Sequence, residues 1–290
     1  SSAFRFFSPR LIEELQENFA HKQQSLIFLN RRGFANFLQC RLCGFVLRCD
    51  HCSVAMTFHL KQQSVFCHHC GSRKPARDLC PGCNNLTLSG MGFGTEQIEQ
   101  ELRRLMPGAR IARMDRDTTS KRGSQERLMR QWEKGEMDIL VGTQMITKGH
   151  DVMGVTLVGA ILADLSLNLP DFRAVERTFQ LLSQVAGRAG RGKEPGRVII
   201  QTYAPDHYAF PHIVTHDYKG FFAAEREFRR ALNYPPFSRL VHLRLEGPRA
   251  QEVEAKAKML GEELRERRQR DPKFQEKIEI LGPARAPIEK

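Results

Sequence analysis

The chain has 290 residues, a formal net charge of +12 at pH 7 and a pI near 9.6. This length accommodates two domains, or one large domain with insertions, and the basic balance favours a polyanionic partner, with nucleic acid as the first candidate. No apolar run in the sequence is long enough to span a membrane, which excludes a membrane-spanning helix here.

The first predicted elements are a helix and a buried strand. Ser8 is a favourable N-cap residue, and Pro9 suits the first position of a helix. A continuous apolar strand is expected at 25–29, followed by the sequence Asn-Arg-Arg-Gly at 30–33. The helix places its apolar residues on one face, namely Leu11, Ile12, Leu15 and Phe19.

All eight cysteines follow, in four C-x-x-C pairs. Two residues between thiolates let both sulfurs reach one tetrahedral ion, so each pair has the spacing of a zinc knuckle. Four knuckles make two four-thiolate sites without an open position for a catalytic water, which predicts two Zn²⁺ ions in a structural or recognition role. The pairs are Cys40/Cys43, Cys49/Cys52, Cys67/Cys70 and Cys80/Cys83.

Loop lengths favour a nested pairing of these knuckles. The inner pairs are separated by 14 residues with short predicted strands at 53–57 and 64–66, near the short end of a zinc ribbon, so the outer pairs close a second site. A cross-braced pairing, first with third and second with fourth, stays open. A disulfide framework is less favourable in a large α/β chain. Nearby histidines are interpreted as surface residues, since the thiols complete both sites: His51, His68 and His69.

Beyond the cysteines, strands alternate with helices, which predicts a mostly parallel sheet. The segment 155–163 is continuously apolar, as expected for a parallel strand covered on both faces. A glycine-rich turn at 90–94 leads into a helix that begins at Thr95. The other predicted strands are 110–114, 138–141 and 197–203, and the other helices are 125–134, 171–185 and 219–232.

A boundary is predicted at 233–237, where two prolines forbid a helix. The next predicted elements are a strand at 239–245, a helix at 250–268 and a strand at 278–281. One β-α-β unit has too few strands to close a core, so a truncated α+β domain is expected.

The segment QVAGRAGR, from Gln184 to Arg191, suits phosphate recognition. Arg188 and Arg191 are three residues apart and face one way on a helix, and the glycines let another surface approach. Guanidinium groups make forked contacts to phosphate oxygens and stabilise transition-state charge. We therefore expect these arginines to contact a triphosphate presented from outside their domain.

A second polar segment, LVGTQMITKGHD at 140–151, begins as a strand and continues past its carboxyl end, where ligands bind in open α/β sheets. Hydroxyls and backbone amides near Thr143 can hold phosphates, and Lys148 adds charge. Asp151 can accept a hydrogen bond from a ribose or orient an arginine.

These two segments resemble motifs V and VI of superfamily-two helicases. More particular are LIFLNRRG at 26–33, which leads directly into the cysteine doublets, and GFGTE at 92–96. With NYPPF at 233–237 and LGP at 281–283, nearly the whole chain resembles the PriA family of bacterial primosomal replication-restart helicases.

The resemblance implies an α/β fold: a RecA-like parallel-sheet helicase lobe, interrupted by a two-zinc cysteine-rich module and followed by a truncated small α+β domain. Residues 1–38 would start the second helicase lobe and 89–232 complete it. Residues 39–88 would form the zinc module, and 233–290 part of a C-terminal domain.

The resemblance also implies an ATP-dependent 3′→5′ DNA helicase that recognises stalled forks and D-loops and initiates primosome assembly. Its partners would be forked, D-loop and single-stranded DNA, the single-stranded-DNA-binding protein and primosome proteins, with no membrane. The family places such a protein in the bacterial cytoplasm, associated with the nucleoid.

The same resemblance suggests residue roles. By match to motif VI, Gln184, Arg188 and Arg191 would face ATP, one arginine acting as the finger. By match to motif V, Gly149 and Asp151 would couple to the nucleotide. The residues expected near DNA are Thr143, Gln144, Lys148, Arg31 and Arg32.

The sequence departs from a complete motor in one respect. It contains no G-x-x-x-x-G-K-[ST] loop and no evident acidic box that holds Mg²⁺. ATP with Mg²⁺ is therefore expected to be held mainly by a first helicase lobe that this chain does not contain. The chain alone is expected to hydrolyse no ATP.

Two alternatives stay open. Another superfamily-two motor would share the two polar segments but has no reason to carry four thiol doublets. A non-enzymatic zinc-ribbon module that binds DNA or protein would be unaffected by loss of Arg188 and Arg191.

Overall fold

In this computed structural model, five parallel strands form the central sheet, and helices alternate with these strands along the chain. The structure describes residues 6–29, 37–40, 42–51, 54–59, 64–68, 70–75, 79–85, 88–90, 95–115, 118–119, 123–143, 146, 154–169, 171–190 and 195–284.

The chain divides into two units. Unit 1 comprises Ser1–Phe34, Gly92–Leu169 and Arg173–Glu225. Unit 2 comprises Ala35–Met91, Pro170–Phe172 and Arg226–Lys290, so the cysteine module and the C-terminal residues fall in one unit. The four-segment division made from the sequence stays a prediction.

The helices and strands lie close to their predicted positions over most of the chain. In chain order they are α1 Pro9–Ala20, β1 Gln24–Leu29, β2 Leu38–Cys40, β3 Thr57–His59, β4 Ser64–Phe66, β5 Arg73–Pro75, β6 Leu88–Gly90, α2 Thr95–Leu105, β7 Ile111–Met114, α3 Ser124–Glu133, β8 Ile139–Gly142, β9 Val155–Ile161, α4 Asp164–Leu167, α5 Ala174–Ala186, β10 Arg197–Ile200, α6 Ala209–Val214, α7 Tyr218–Ala231, α8 Ala250–Arg270 and α9 Pro272–Gln275.

The sheet of unit 1 has the strand order β10-β9-β1-β8-β7, and its pairings are all parallel. The prediction of a mostly parallel sheet is confirmed. Central strand β1 is buried from Ser25 onward, as its apolar sequence requires. The helix before it starts as predicted, because the Ser8 hydroxyl accepts a hydrogen bond from the Leu11 amide at 3.2 Å.

The core of unit 1 fills the space between this sheet and its helices. Trp132 on α3 is fully buried and belongs to a cluster that includes Leu26, Leu140 and Val158 of three adjacent strands. Close packing of this kind leaves little room for relaxation when a large side chain is removed.

Truncation of Trp132 is therefore expected to destabilise unit 1. Trp132→Ala should cost about 3–5 kcal/mol of unfolding free energy, because it removes buried apolar surface and leaves a cavity. Glu133→Ala, at the exposed neighbouring position, is the matched control and should change stability little. Urea unfolding followed by circular dichroism measures both; equal midpoints for the two variants would contradict the packing described.

Unit 2 contains two small antiparallel sheets within the cysteine module. β2 pairs with β6, and β3, β4 and β5 form a three-stranded sheet. Residues of both sheets and of the chain between them form a small apolar core that includes two of the cysteines: Leu38, Leu47, Cys49, Met56, Val65 and Cys67. The predicted strand at 64–66 is confirmed, and the one expected at 53–57 is instead observed as β3.

The predicted C-terminal strands are wrong. Residues 239–245 and 278–281 have no strand pairing, although α8 forms where a helix was expected. Several apolar side chains in these segments stay exposed, Val241 by 83%. An alternating apolar sequence becomes a strand only when a neighbouring strand supplies hydrogen-bond partners, and these segments pair with no strand of the described residues.

Within the part of the chain that the structure describes, none of the helices is both long and apolar enough to cross a membrane.

Candidate functional site

The three knuckles whose following residue the structure describes share one backbone turn. In each, the residue directly after the second cysteine has a positive φ and donates its amide to the first cysteine's carbonyl. Glycine and asparagine adopt this conformation at low cost. The C-x-x-C-G and C-x-x-C-N patterns carried this signal, which the sequence interpretation missed. The donors are Gly44 to Cys40 at 2.9 Å, Gly71 to Cys67 at 2.9 Å and Asn84 to Cys80 at 2.8 Å.

These turns bring the first and last cysteine pairs together as an outer cluster: Cys40, Cys43, Cys80 and Cys83. Their sulfur atoms all lie within 4.8 Å of one another. The Sγ atoms of Cys40 and Cys83 are 3.6 Å apart, as are those of Cys43 and Cys80.

The middle pairs form an inner cluster that contains Cys49, Cys67 and Cys70. The Sγ atoms of Cys49 and Cys70 are 3.6 Å apart. Cys52, the fourth predicted ligand, lies outside the described residues, as does His69. The grouping follows the nested arrangement and not the cross-braced one.

The sulfur spacing fits tetrahedral zinc. Four thiolates at about 2.3 Å from one Zn²⁺ ion lie roughly 3.8 Å from each other, close to the 3.6 Å observed in both clusters. The same distance is far longer than a disulfide bond of about 2.05 Å. Of the three histidines near the cysteines, the structure describes His51 and His68. Neither belongs to a cluster, and His51 is exposed.

Arg188 follows the end of α5 at Ala186, in the turn that returns the chain to the sheet, so the prediction that it lies on a helix is wrong. The Gly190 amide donates to the carbonyl of Val155, the first residue of β9, at 3.0 Å. Gly190 has φ +77°, and a Cβ there would lie 2.7 Å from the Gly196 nitrogen. Glycine is thus required for this approach, which fixes the Arg188 turn at the amino-terminal edge of the sheet.

Thr143 lies at the opposite edge. Gly142 and Ala160 both pair with Phe28, so these two residues are level with one another across β1. Val155 precedes Ala160 by five residues, which is roughly 17 Å at about 3.3 Å per residue. The chain between Thr143 and Gly154 therefore connects the carboxyl-terminal edge, where Thr143 lies, to the edge that carries Arg188.

A buried acid that the sequence interpretation missed lies beside Thr143. Asp115 follows β7 at the same edge, since Met114 pairs with Gly142. It is 1% exposed and accepts hydrogen bonds from the Thr95 hydroxyl and, at 3.0 Å, from the Thr118 amide. An Arg113 nitrogen lies 3.3 Å from its carboxylate.

Burial by itself raises the pKa of Asp115, but these donors and the charge of Arg113 outweigh it, so the pKa lies below its ordinary value. Asp115 thereby fixes the first residue of α2 and the turn after β7. The only sequence signal was an acid directly after a strand, with threonines three and four residues later.

The depressed pKa predicts a pH effect. The ionised carboxylate stabilises the fold fully above about pH 4, its unfolded pKa, and this contribution is lost as pH falls through the folded pKa. Asp115→Asn should lower the free energy of unfolding by about 1–3 kcal/mol at neutral pH, because the NH₂ group of asparagine cannot accept the hydrogen bonds that Thr95 and Thr118 donate. It should also make stability depend less on pH in the acid range. Unfolding at pH 3–7 tests this against Asp206→Asn, an exposed control; an unchanged acid slope would contradict it.

Some of the other predicted site residues lie in the part of the chain that the structure describes, and others lie outside it. Gln184 is exposed on the last turn of α5, and Arg188 is half-buried. Predicted residues that lie outside the described part of the chain are Arg31, Arg32, Gln144, Lys148, Gly149, Asp151 and Arg191.

Family models match three parts of the chain. Residues 49–75 match the PriA DNA helicase Cys-rich region (CRR) domain, which includes the inner cluster. Residues 91–193 match the helicase conserved C-terminal domain, and residues 230–290 match the Primosomal protein N C-terminal domain. The replication restart protein PriA of Bacillus subtilis (strain 168) is 44% identical over 282 residues, which are 97% of this chain. The chain belongs to the PriA family.

A second PriA relative, from Synechocystis, is 43% identical over 97% of this chain. The chain covers 34% of each of these two proteins, so it spans about a third of their length. Among solved structures, the C-terminal domain of the DEAD-box protein Dbp5 matches 76% of this chain and 92% of its own length, at 12% identity and a TM-score of 0.37. That likeness is too weak to support a functional argument.

Proposed function

We propose that the chain forms the second lobe and zinc module of an ATP-dependent 3′→5′ DNA helicase that acts in replication restart. The observation that carries this proposal is the helicase conserved C-terminal match at 91–193, which spans both Thr143 and Arg188. The proposed substrates are stalled forks and D-loops, and the proposed location is the bacterial cytoplasm at the nucleoid.

Arg188 is proposed to contact the γ-phosphate of ATP held mainly by a first lobe. Its position after α5 supports this role, because the Gly190–Val155 hydrogen bond holds the turn against the sheet. A guanidinium on a fixed backbone stabilises transition-state charge without reorganisation during the reaction. Arg191 is proposed as its companion, and Gln184 as a neighbouring contact one turn earlier on α5.

The segment from Thr143 to Gly154 is proposed to link DNA to ATP. It joins the two edges of the sheet, roughly 17 Å apart along the strands, with Thr143 at one end and β9 at the other. Thr143, Gln144 and Lys148 would contact DNA, with Arg31 and Arg32 following β1 toward the same edge. Gly149 and Asp151 would contact the nucleotide, so movement at one edge is transmitted to the other.

The zinc module is proposed to bind two Zn²⁺ ions, one in each cluster. Zinc supplies cross-links that a module with short strands and a small core needs for stability. Its proposed partners are DNA, the single-stranded-DNA-binding protein and primosome proteins, as the family resemblance implies.

Strand displacement by the whole protein tests the proposal. Fork substrates with a single-stranded 3′ or 5′ arm separate the two polarities, and a labelled strand reports unwinding. Unwinding that requires ATP with Mg²⁺ and proceeds 3′→5′ along the bound strand is expected. Tight fork binding with no ATP-dependent unwinding would instead support the non-enzymatic zinc module.

A further inference from the structure

The described cysteines of the two clusters differ in how far they are exposed to solvent. In the inner cluster, Cys49 and Cys67 are 2% and 1% exposed and pack in the apolar core with Met56 and Val65. A reagent in water reaches these sulfurs only when that core opens. Cys70, the third described member, is half-buried and packs against the same core.

Two described cysteines of the outer cluster lie nearer to solvent than Cys49 and Cys67 do. Cys43 is exposed and Cys83 is half-buried, although Cys40 and Cys80 are fully buried. Two residues next to its cysteines are also open to water: Leu42 is 65% exposed and Leu79 is 50% exposed. Solvent therefore reaches Cys43 without any unfolding of the module.

The Sγ atom of the exposed Cys43 also has a nearby partner. The Sγ atom of Cys80 lies 3.6 Å away, which is close enough for a disulfide to form after a small movement of the two side chains. We propose that Cys43 is a site of oxidation by peroxide, and that this oxidation releases zinc from the outer cluster while the inner cluster keeps its ion. This inference rests on the zinc ligation proposed above.

The chemistry requires a hydroperoxide, such as hydrogen peroxide, as oxidant. The Cys43 thiolate attacks one peroxide oxygen, the O–O bond breaks, and hydroxide leaves and takes up a proton to form water. The Cys80 thiolate then attacks the sulfenic sulfur, an S–S bond forms, the S–O bond breaks, and a second hydroxide leaves. Two thiolates lose two electrons and the peroxide gains two, which would leave only Cys40 and Cys83 to hold an ion in the outer cluster.

Zinc release from the zinc-loaded 290-residue chain tests this proposal. The chain is treated with hydrogen peroxide, freed zinc is counted with a chromogenic chelator, and cysteines are mapped by differential alkylation and mass spectrometry. We expect one zinc to leave at least about tenfold faster than the second, since oxidation follows exposure. Cys43 should be the first cysteine modified, in a disulfide with Cys80.

Matched variants separate the two clusters. Cys43→His keeps a zinc ligand but removes the exposed thiolate, so the fast release should disappear. Cys70→His makes the same change in the inner cluster and should leave the fast phase intact. Release of both ions in one phase, or modification of Cys49 or Cys67 before Cys43 in the wild-type chain, would overturn the inference. A starting content below two zinc ions per chain would instead overturn the proposed ligation itself.

Discussion

Replacing Arg188 with alanine in the whole protein is expected to lower fork-stimulated ATP turnover by about 10³–10⁵-fold, the usual effect of removing an arginine finger. Fork binding should persist, because the loss concerns one charge at the nucleotide. The turn that carries Arg188 is anchored by the Gly190–Val155 hydrogen bond at 3.0 Å, so the side chain can be removed without releasing the backbone. Steady-state phosphate release and fork affinity are the two measurements.

The controls for this prediction separate the finger from general charge. Arg191→Ala, in the same segment, reports whether one or both arginines carry the effect. Arg130→Ala removes an exposed arginine on α3 and should leave turnover unchanged, because loss of one surface charge is screened by solvent. Turnover near the wild-type value in both Arg188→Ala and Arg191→Ala would contradict the finger assignment. It would favour a zinc module that binds DNA or protein without an enzymatic role.

Removal of zinc is expected to unfold the cysteine module and leave the parallel sheet intact. The apolar core around Met56 is small, and binding of a structural zinc contributes about 10–16 kcal/mol in zinc-finger peptides, more than such a core supplies. Because Cys49 and Cys67 belong to that core, loss of the inner ion should disrupt packing as well as ligation.

Hydrogen exchange measures this effect region by region. After chelation, amides bonded within the knuckles, such as those of Gly44 and Gly71, should lose protection, whereas β1 and β9 should keep theirs. Cys67→Ser should have the same effect as chelation at the inner cluster. His51→Ala, an exposed neighbour, should have none. Full protection of the knuckles in the metal-free chain would contradict a structural role for zinc.

Periodicity predicted the parallel sheet because its signals are local. The apolar runs at β1, β8 and β9 are buried within a layered fold whichever neighbour covers them, so their positions follow from the sequence alone. The same reasoning failed at 239–245 and 278–281, because a strand also needs a hydrogen-bonding partner that the local sequence does not specify.

In the candidate site as well, features with a local sequence signal were predicted, and a feature that depends on a distant residue was missed. Cysteine spacing predicted the knuckles, and loop length favoured the nested grouping that the structure has. The position of Arg188 at the edge opposite Thr143 follows from the parallel sheet, because a helix that joins two parallel strands ends beside their amino-terminal ends. Asp115 was missed since its role depends on Thr95, twenty residues away in sequence.

ATP hydrolysis by the zinc-loaded 290-residue chain on forked DNA, measured beside the whole protein, shows whether this chain supplies the arginine finger but not the phosphate cradle. We expect fork-stimulated turnover by the whole protein and none above background by the chain alone. Turnover by the chain alone that is abolished by Arg188→Ala would contradict this expectation, because the chain would then hold ATP by itself.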